Sequence, residues 1–115
     1  MLKVYFKPNC ATCKTALGLL KQETDEEIEL YEYLEEHPTQ KDIRDLLKML
    51  GLKAFDIVRT KEPIYKEKYE GKKLTNAEWI KALAQHPILI QRPIVIKDGK
   101  ALIGRPPEKI LDILK

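Results

Sequence analysis

Leu2-Lys3-Val4-Tyr5-Phe6-Lys7-Pro8-Asn9-Cys10-Ala11-Thr12-Cys13-Lys14-Thr15-Ala16-Leu17 changes period in its middle. Leu2, Val4 and Phe6 alternate with Lys3, Tyr5 and Lys7, which is the period-two pattern of a strand with one face buried. Pro8-Asn9 breaks it. Beyond the break Cys13, Ala16, Leu17 and Leu20 fall on one helical face. Charged residues 21–27 close that helix and lead to a second strand around Ile28–Tyr33. Two strands joined by a helix predict a parallel pair with a right-handed crossover.

Outward from this unit the pattern turns helical, then extended again. His37-Pro38 is a break, and Thr39 with Asp42 reads as a capping box ahead of Ile43, Leu46, Leu47 and Leu50, with Gly51 as the stop. Short helical fragments are expected around Ile57-Val58 and Tyr65–Tyr69. Thr75 and Glu78 form a second capping box before Trp79, Ile80, Leu83 and Ala84, and His86-Pro87 ends that helix. Ile94-Val95-Ile96 and Ala101-Leu102-Ile103 flank Asp98-Gly99, a strong signal for a two-residue hairpin turn. Pro106-Pro107 suits a first helical turn, with Ile110, Leu111, Ile113 and Leu114 carrying a closing helix. The expected architecture is α/β: a four-stranded mixed sheet from residues 1–36 and 88–115, interrupted by a helical insert over 37–87. At 115 residues the chain is read as a single domain.

Composition narrows the function. Hydrophobic residues make up 43% and charged residues 34%, enough apolar material for a core under a charged surface. No apolar run approaches the ~20 residues of a membrane span, and residues 1–20 do not read as a signal peptide, so a cytoplasmic protein is expected. The net charge of +3 comes from interleaved signs, without a basic block alternating with aromatics, which argues against direct nucleic-acid binding. Of the 21 basic residues 17 are Lys, and only Arg44, Arg59, Arg92 and Arg105 are Arg. Lysine is the default surface cation here, so each arginine asks for a reason.

Cys10 and Cys13 are the two cysteines of the chain, and they sit between a strand and a helix. On a helical path their Cα atoms lie about 5 Å apart, within reach of an unstrained disulfide. Cys10 stands where unpaired backbone N–H groups and the helix dipole favour a thiolate, and Cys13 is one turn inward. Cys10 is therefore the expected nucleophile and Cys13 the resolving thiol. A zinc site would need two more soft ligands, and His37 and His86 lack the spacing for it, so no metal is expected. Haem attachment would need His where Lys14 stands, and a phosphatase-type loop would need Arg where Ala16 stands. Two inert buried cysteines remain the structural alternative. Arg59, Arg92 and Arg105 lie in Val58-Arg59-Thr60, Gln91-Arg92-Pro93 and Gly104-Arg105-Pro106. They are either solvated surface cations or, converging on a thiolate, the forks of an oxyanion site. Arg92-Pro93 precedes the third strand and is a place for a cis proline.

These pieces, in order, resemble the glutaredoxin-linked arsenate reductase family. The resemblance runs through Pro8-Asn9-Cys10-Ala11-Thr12, Tyr33-Leu34-Glu35, Asp56-Ile57-Val58-Arg59 and Glu62-Pro63-Ile64-Tyr65. It continues through His86-Pro87-Ile88-Leu89-Ile90-Gln91-Arg92-Pro93-Ile94-Val95 and Arg105-Pro106-Pro107-Glu108 to Ile110-Leu111-Asp112-Ile113-Leu114. It implies a thioredoxin-like fold with a helical insertion. It also implies a thiolate at Cys10 that attacks arsenate held by Arg59, Arg92 and Arg105. The family binds no resident cofactor. Glutathione enters after the thiol adduct forms, and glutaredoxin reduces the mixed disulfide to release arsenite. A monomer with no nucleic-acid or membrane partner is expected. Two positions depart from the family: Cys13 replaces the usual Ser, and Phe6 stands where some members have His. Cys13 opens a route through a Cys10–Cys13 disulfide to a thioredoxin-type donor. The same Cys-x-x-Cys also resembles Spx-type regulators, which sense disulfide stress and bind RNA polymerase. Those relatives lack an equivalent of Arg105-Pro106. A general thiol–disulfide reductase without an oxyanion substrate is the third reading.

Overall fold

The alternation at the N-terminus becomes the centre of a four-stranded mixed sheet. In the computed structural model, which describes residues 1–115, β1 (Leu2–Tyr5) leads through the Pro8-Asn9 turn into helix α1 (Ala11–Glu23), and β2 (Ile28–Tyr31) follows. β1 and β2 are parallel, with Leu2 opposite Ile28 and Tyr5 opposite Tyr31. Helix α2 (Gln40–Leu50), a 3-10 turn (Ala54–Ile57), α3 (Pro63–Lys68), α4 (Asn76–Gln85) and a second 3-10 turn (Pro87–Leu89) come next. The sheet is completed by β3 (Ile94–Lys97) and β4 (Lys100–Ile103), and a 3-10 helix (Pro107–Leu114) closes the chain. The strand order is β2-β1-β3-β4, with β3 antiparallel to both β1 and β4. This is the α/β arrangement of a thioredoxin-like fold. No helix is long and apolar enough to cross a membrane.

The chain divides into two compact units, Met1–Glu36 with Arg92–Lys115, and His37–Gln91. In the first, Leu2, Val4 and Phe6 meet Cys13, Ala16 and Leu20 of α1, Val95 of β3, and Ile110 and Ile113 of the closing helix. In that closing helix Pro107, Ile110 and Ile113 recur at intervals of three. That spacing gives a 3-10 winding one continuous face, and so the closing helix is 3-10 over eight residues rather than α. Alternation assigned Tyr5 to the outer face with Lys3 and Lys7. Instead it is buried, because Tyr31 packs edge-on at 4.9 Å and Tyr33 lies at 5.5 Å. A central strand is covered on both sides, and alternation alone reports only one of them.

In the second unit both capping boxes form: Thr39 and Asp42 cap α2, and Thr75 and Glu78 cap α4. Gly51 ends α2 in the left-handed conformation at φ 70°. The unit runs to Gln91 because Ile90 bridges to Val58 and the Gln91 N–H donates to the Ile57 carbonyl at 2.9 Å. Phe55, Tyr65 and Tyr69 gather around the buried Trp79.

The β3–β4 hairpin turns on Asp98 at φ 51° and Gly99 at φ 77°, the two positive values a type I′ turn requires. Nothing lies within 4 Å of a Cβ placed on Gly99, so a substitution there meets backbone strain alone. Gly99→Val should therefore lower unfolding free energy by about 1–2 kcal/mol in urea titrations and leave thiol reactivity unchanged.

Candidate functional site

Register brings four chain segments to one end of the sheet. Tyr5, the last residue of β1, pairs with Tyr31 at the end of β2 and with Ile94 at the start of β3, and Ile94 pairs with Ile103 at the end of β4. The chain leaving β1 toward Cys10, the chain leaving β2 toward Tyr33, the entry to β3 at Arg92-Pro93 and the exit from β4 at Gly104-Arg105 are thus neighbours. All four lie in the first unit.

Cys10 is the N-cap of α1, with extended backbone, and its Sγ accepts the Cys13 backbone N–H at 3.4 Å. Both cysteines are free thiols; Cys10 is half-buried and Cys13 is buried. Burial acts to raise the Cys10 pKa. Hydrogen bonds from the Cys13 thiol and amide, together with the Arg92 guanidinium, outweigh it and hold the pKa below the ordinary thiol value. Cys13 moves the other way, to about 11, through burial and through its hydrogen bond to Cys10. The pair is unequal in the sense that helix-terminal placement predicts: the outer thiol is the more easily ionised, and the inner one holds its proton and donates.

Arg92 is the one charged residue in the core, 5% exposed. Its Nη1 donates to the Tyr33 hydroxyl at 3.5 Å, and its Nε is buried with no hydrogen-bond partner. Burial acts against its charge, but Tyr33 and the Cys10 thiolate more than compensate and raise its pKa. Arg105 is exposed, and its Nε donates to the Arg92 backbone carbonyl at 2.7 Å. The Arg92-Pro93 and Arg105-Pro106 peptide bonds are both cis. The Gly104 N–H donates to the Pro93 carbonyl at 2.9 Å, tying the two Arg-Pro segments together.

Arg59 belongs to the second unit. Its backbone N–H donates to the Leu89 carbonyl at 2.7 Å, its Nη2 lies 3.6 Å from Glu62, and its Nε is buried without a partner. An open concavity of about 740 Å³ in the same unit, lined by Phe55, Tyr65, Trp79 and three lysines, includes neither cysteine nor any arginine. The cysteine pair, Arg92 and Arg105 are thus brought together within the first unit, and Arg59 belongs to the second.

Residues 5–113 match the model of the ArsC family. The chain belongs to that family. It is 42% identical to "Uncharacterized protein YfgD" of Escherichia coli K12 over 115 residues, covering 98% of this chain and 96% of that one. It is 36% identical to an arsenate reductase of Neisseria meningitidis serogroup A, over 98% and 97% of the two chains. Among solved structures it superposes on the arsenate reductase from Vibrio cholerae with a TM-score of 0.91 at 36% identity, covering 97% and 96%.

Within this ArsC-family chain, sequence reasoning overlooked Tyr33 and Gly104 as parts of the site. Tyr33 was assigned to a strand, yet β2 stops at Tyr31, and the turn beyond it points a fully buried ring at Arg92. Gly104 has an ordinary φ, and only the structure reveals that a Cβ there would stand 2.9 Å from Pro93 Cγ. Pro93 is a ring that cannot swing aside, so Gly104→Ala should cost about 1–3 kcal/mol by overpacking, measured by denaturant unfolding. Removing the Arg92 cation removes a hydrogen bond and an attraction that favour the thiolate. In Arg92→Gln the pH midpoint of Cys10 alkylation by iodoacetamide should therefore move upward, toward that of an ordinary thiol.

Proposed function

We propose that this protein reduces a small tetrahedral oxyanion of the arsenate type through a covalent adduct on Cys10. The observation that carries this reading is Arg92: a buried guanidinium, next to a thiol of lowered pKa, with an Nε donor that no protein group satisfies. A buried donor without a partner is costly, and an anion's oxygen placed there would satisfy it. Relatives named arsenate reductase align over nearly the full chain, which supports the same chemistry.

In this reading the arginine forks of Arg92 and Arg105 hold the oxyanion and offset its charge as the thiolate approaches. Cys10 Sγ attacks arsenic, an S–As bond forms, and one oxygen leaves as water after protonation. A thiol then attacks Cys10 Sγ. The S–As bond breaks with its electron pair on arsenic, which passes from As(V) to As(III) and departs as arsenite. The electrons come from outside the chain, from glutathione with glutaredoxin or from a thioredoxin-type dithiol.

The test is arsenate reduction by the purified protein, run separately with each donor system. Arg92→Lys keeps the charge and loses the fork, and it should lower kcat/KM by about tenfold or more. Arg105→Ala should show a loss of similar size; an exposed arginine with no role would show almost none. If no donor supports arsenate reduction while the two thiols still cycle, the chain is a general thiol–disulfide reductase. If arsenate is reduced but Arg105→Ala leaves kcat/KM unchanged, Arg105 has no part in an oxyanion site and the Spx-like alternative gains.

A further inference from the structure

The oxyanion chemistry proposed above needs one thiol, yet two are built into the turn. Cys13 is fully buried among Leu2, Val4, Phe6, Ala16 and Leu20, so a thiol from solvent reaches Cys10 and not Cys13. The Cys13 amide lies 3.4 Å from Cys10 Sγ, and its thiol donates to the same atom. The Lys7 backbone supplies a hydrogen bond that favours an ionised Cys13. An inert core cysteine needs none of these polar contacts.

We propose that Cys13 resolves the Cys10 adduct from inside the chain, closing a Cys10–Cys13 disulfide, so that the reductant this protein uses is a dithiol rather than glutathione. This rests on the oxyanion reading above and specifies its donor. The step balances within the chain. Cys13 gives up its proton, its Sγ bonds to Cys10 Sγ, and the S–As bond breaks with the electron pair going to arsenic. The arsenic is reduced by two electrons and the thiol pair is oxidised by two, and arsenite takes up the proton. An external dithiol then attacks the disulfide, forms a mixed disulfide, and leaves as its own cyclic disulfide, returning both thiols.

Charge orders the steps. While Cys10 is a thiolate, its negative charge and its hydrogen bond help to hold the Cys13 proton in place. Once Cys10 is bonded to arsenic the sulfur no longer carries that charge or accepts that hydrogen bond; burial still favours the neutral Cys13 thiol, while the Lys7 hydrogen bond and the attraction of Arg92 oppose it. Cys13 thus becomes easier to ionise only after there is an adduct to attack.

The experiment uses the full-length reduced protein, freed of all added thiols, mixed with arsenate and quenched in acid. Wild type should release arsenite equimolar with protein, and its intact mass should fall by the two hydrogens of a disulfide mapped to Cys10–Cys13. Cys13→Ser should release none without donor, retain the adduct on Cys10, and regain arsenite release when glutathione and glutaredoxin are added. In steady state a thioredoxin-type dithiol should drive wild type and fail with Cys13→Ser. Wild type that releases arsenite only on addition of glutathione would overturn the proposal, as would a Cys13→Ser protein that turns over with the dithiol alone. If Cys13→Ser does not fold, the donor-free mass and arsenite yield of wild type decide alone. The failure of the parent reading looks different: no arsenite from wild type with any donor, including glutathione with glutaredoxin, refutes the oxyanion chemistry and this role with it.

Discussion

A buried cation needs partners that favour its charge, and for Arg92 these are the Tyr33 hydroxyl and the Cys10 thiol, whose pKa it helps to lower. None of the ion pairs of the chain places a carboxylate on Arg92. Taking an ion out of water costs several kcal/mol even after relaxation, so an unpaired guanidinium at this depth would be a large liability. Tyr33 and Cys10 favour the charged guanidinium against its burial, and the dependence is mutual, since Arg92 joins the Cys13 hydrogen bonds in holding the Cys10 pKa down. The sheet enforces the meeting. Because Tyr5 pairs with Ile94, the turn that carries Cys10 and the segment that carries Arg92 leave the sheet at the same end. A one-residue register slip between β1 and β3 would flip the core residues to the wrong face and shift Cys10 against Arg92, so packing and site geometry are specified by the same alignment.

The inequality of the two thiols follows from their places on α1 rather than from their neighbours in sequence. Position 10 is the cap, where the first-turn N–H groups have no helical partner and a sulfur anion can receive them. Position 13 is already inside the helix, turned into the core beside Leu20 and Ala16. One spacing therefore yields a pair in which each thiol makes the other more extreme: the inner hydrogen bond stabilises the outer charge, and the outer charge discourages the inner one. Two cysteines on a surface loop would share their environment and titrate alike.

Much of this was legible in the residues because the relevant signals are local. The strand-to-helix change at Pro8-Asn9, the two capping boxes, and the Asp98-Gly99 turn each depend on a few adjacent residues, and each formed as read. The scarcity of arginine drew attention to Arg92 and Arg105, which do lie together. What escaped depends on the third dimension. Tyr5 looked solvent-facing because alternation cannot report a second layer of tyrosines, and Tyr33 looked like strand because a run of aromatic and apolar residues does not mark where pairing stops. The closing helix read as α because 3.6 and 3.0 periods are hard to separate over eight residues. Gly104 carried no signal, since its constraint is a proline ring eleven positions earlier.

The choice of arginine over lysine at position 92 follows from the directions it must serve. From one buried position its guanidinium faces the Tyr33 hydroxyl, stabilises the Cys10 thiolate and keeps a further Nε donor unspent. A lysine ammonium is a compact charge on a flexible stem, strongly hydrated, and burial would push it toward the neutral amine. A neutral amine would leave the thiolate uncompensated. The planar fork, by contrast, keeps its charge at any working pH and its donors in fixed directions. In a chain that uses lysine nearly everywhere else, an arginine at this depth marks the place where charge and direction are both required, and there the unspent donor lies beside the thiol of lowered pKa.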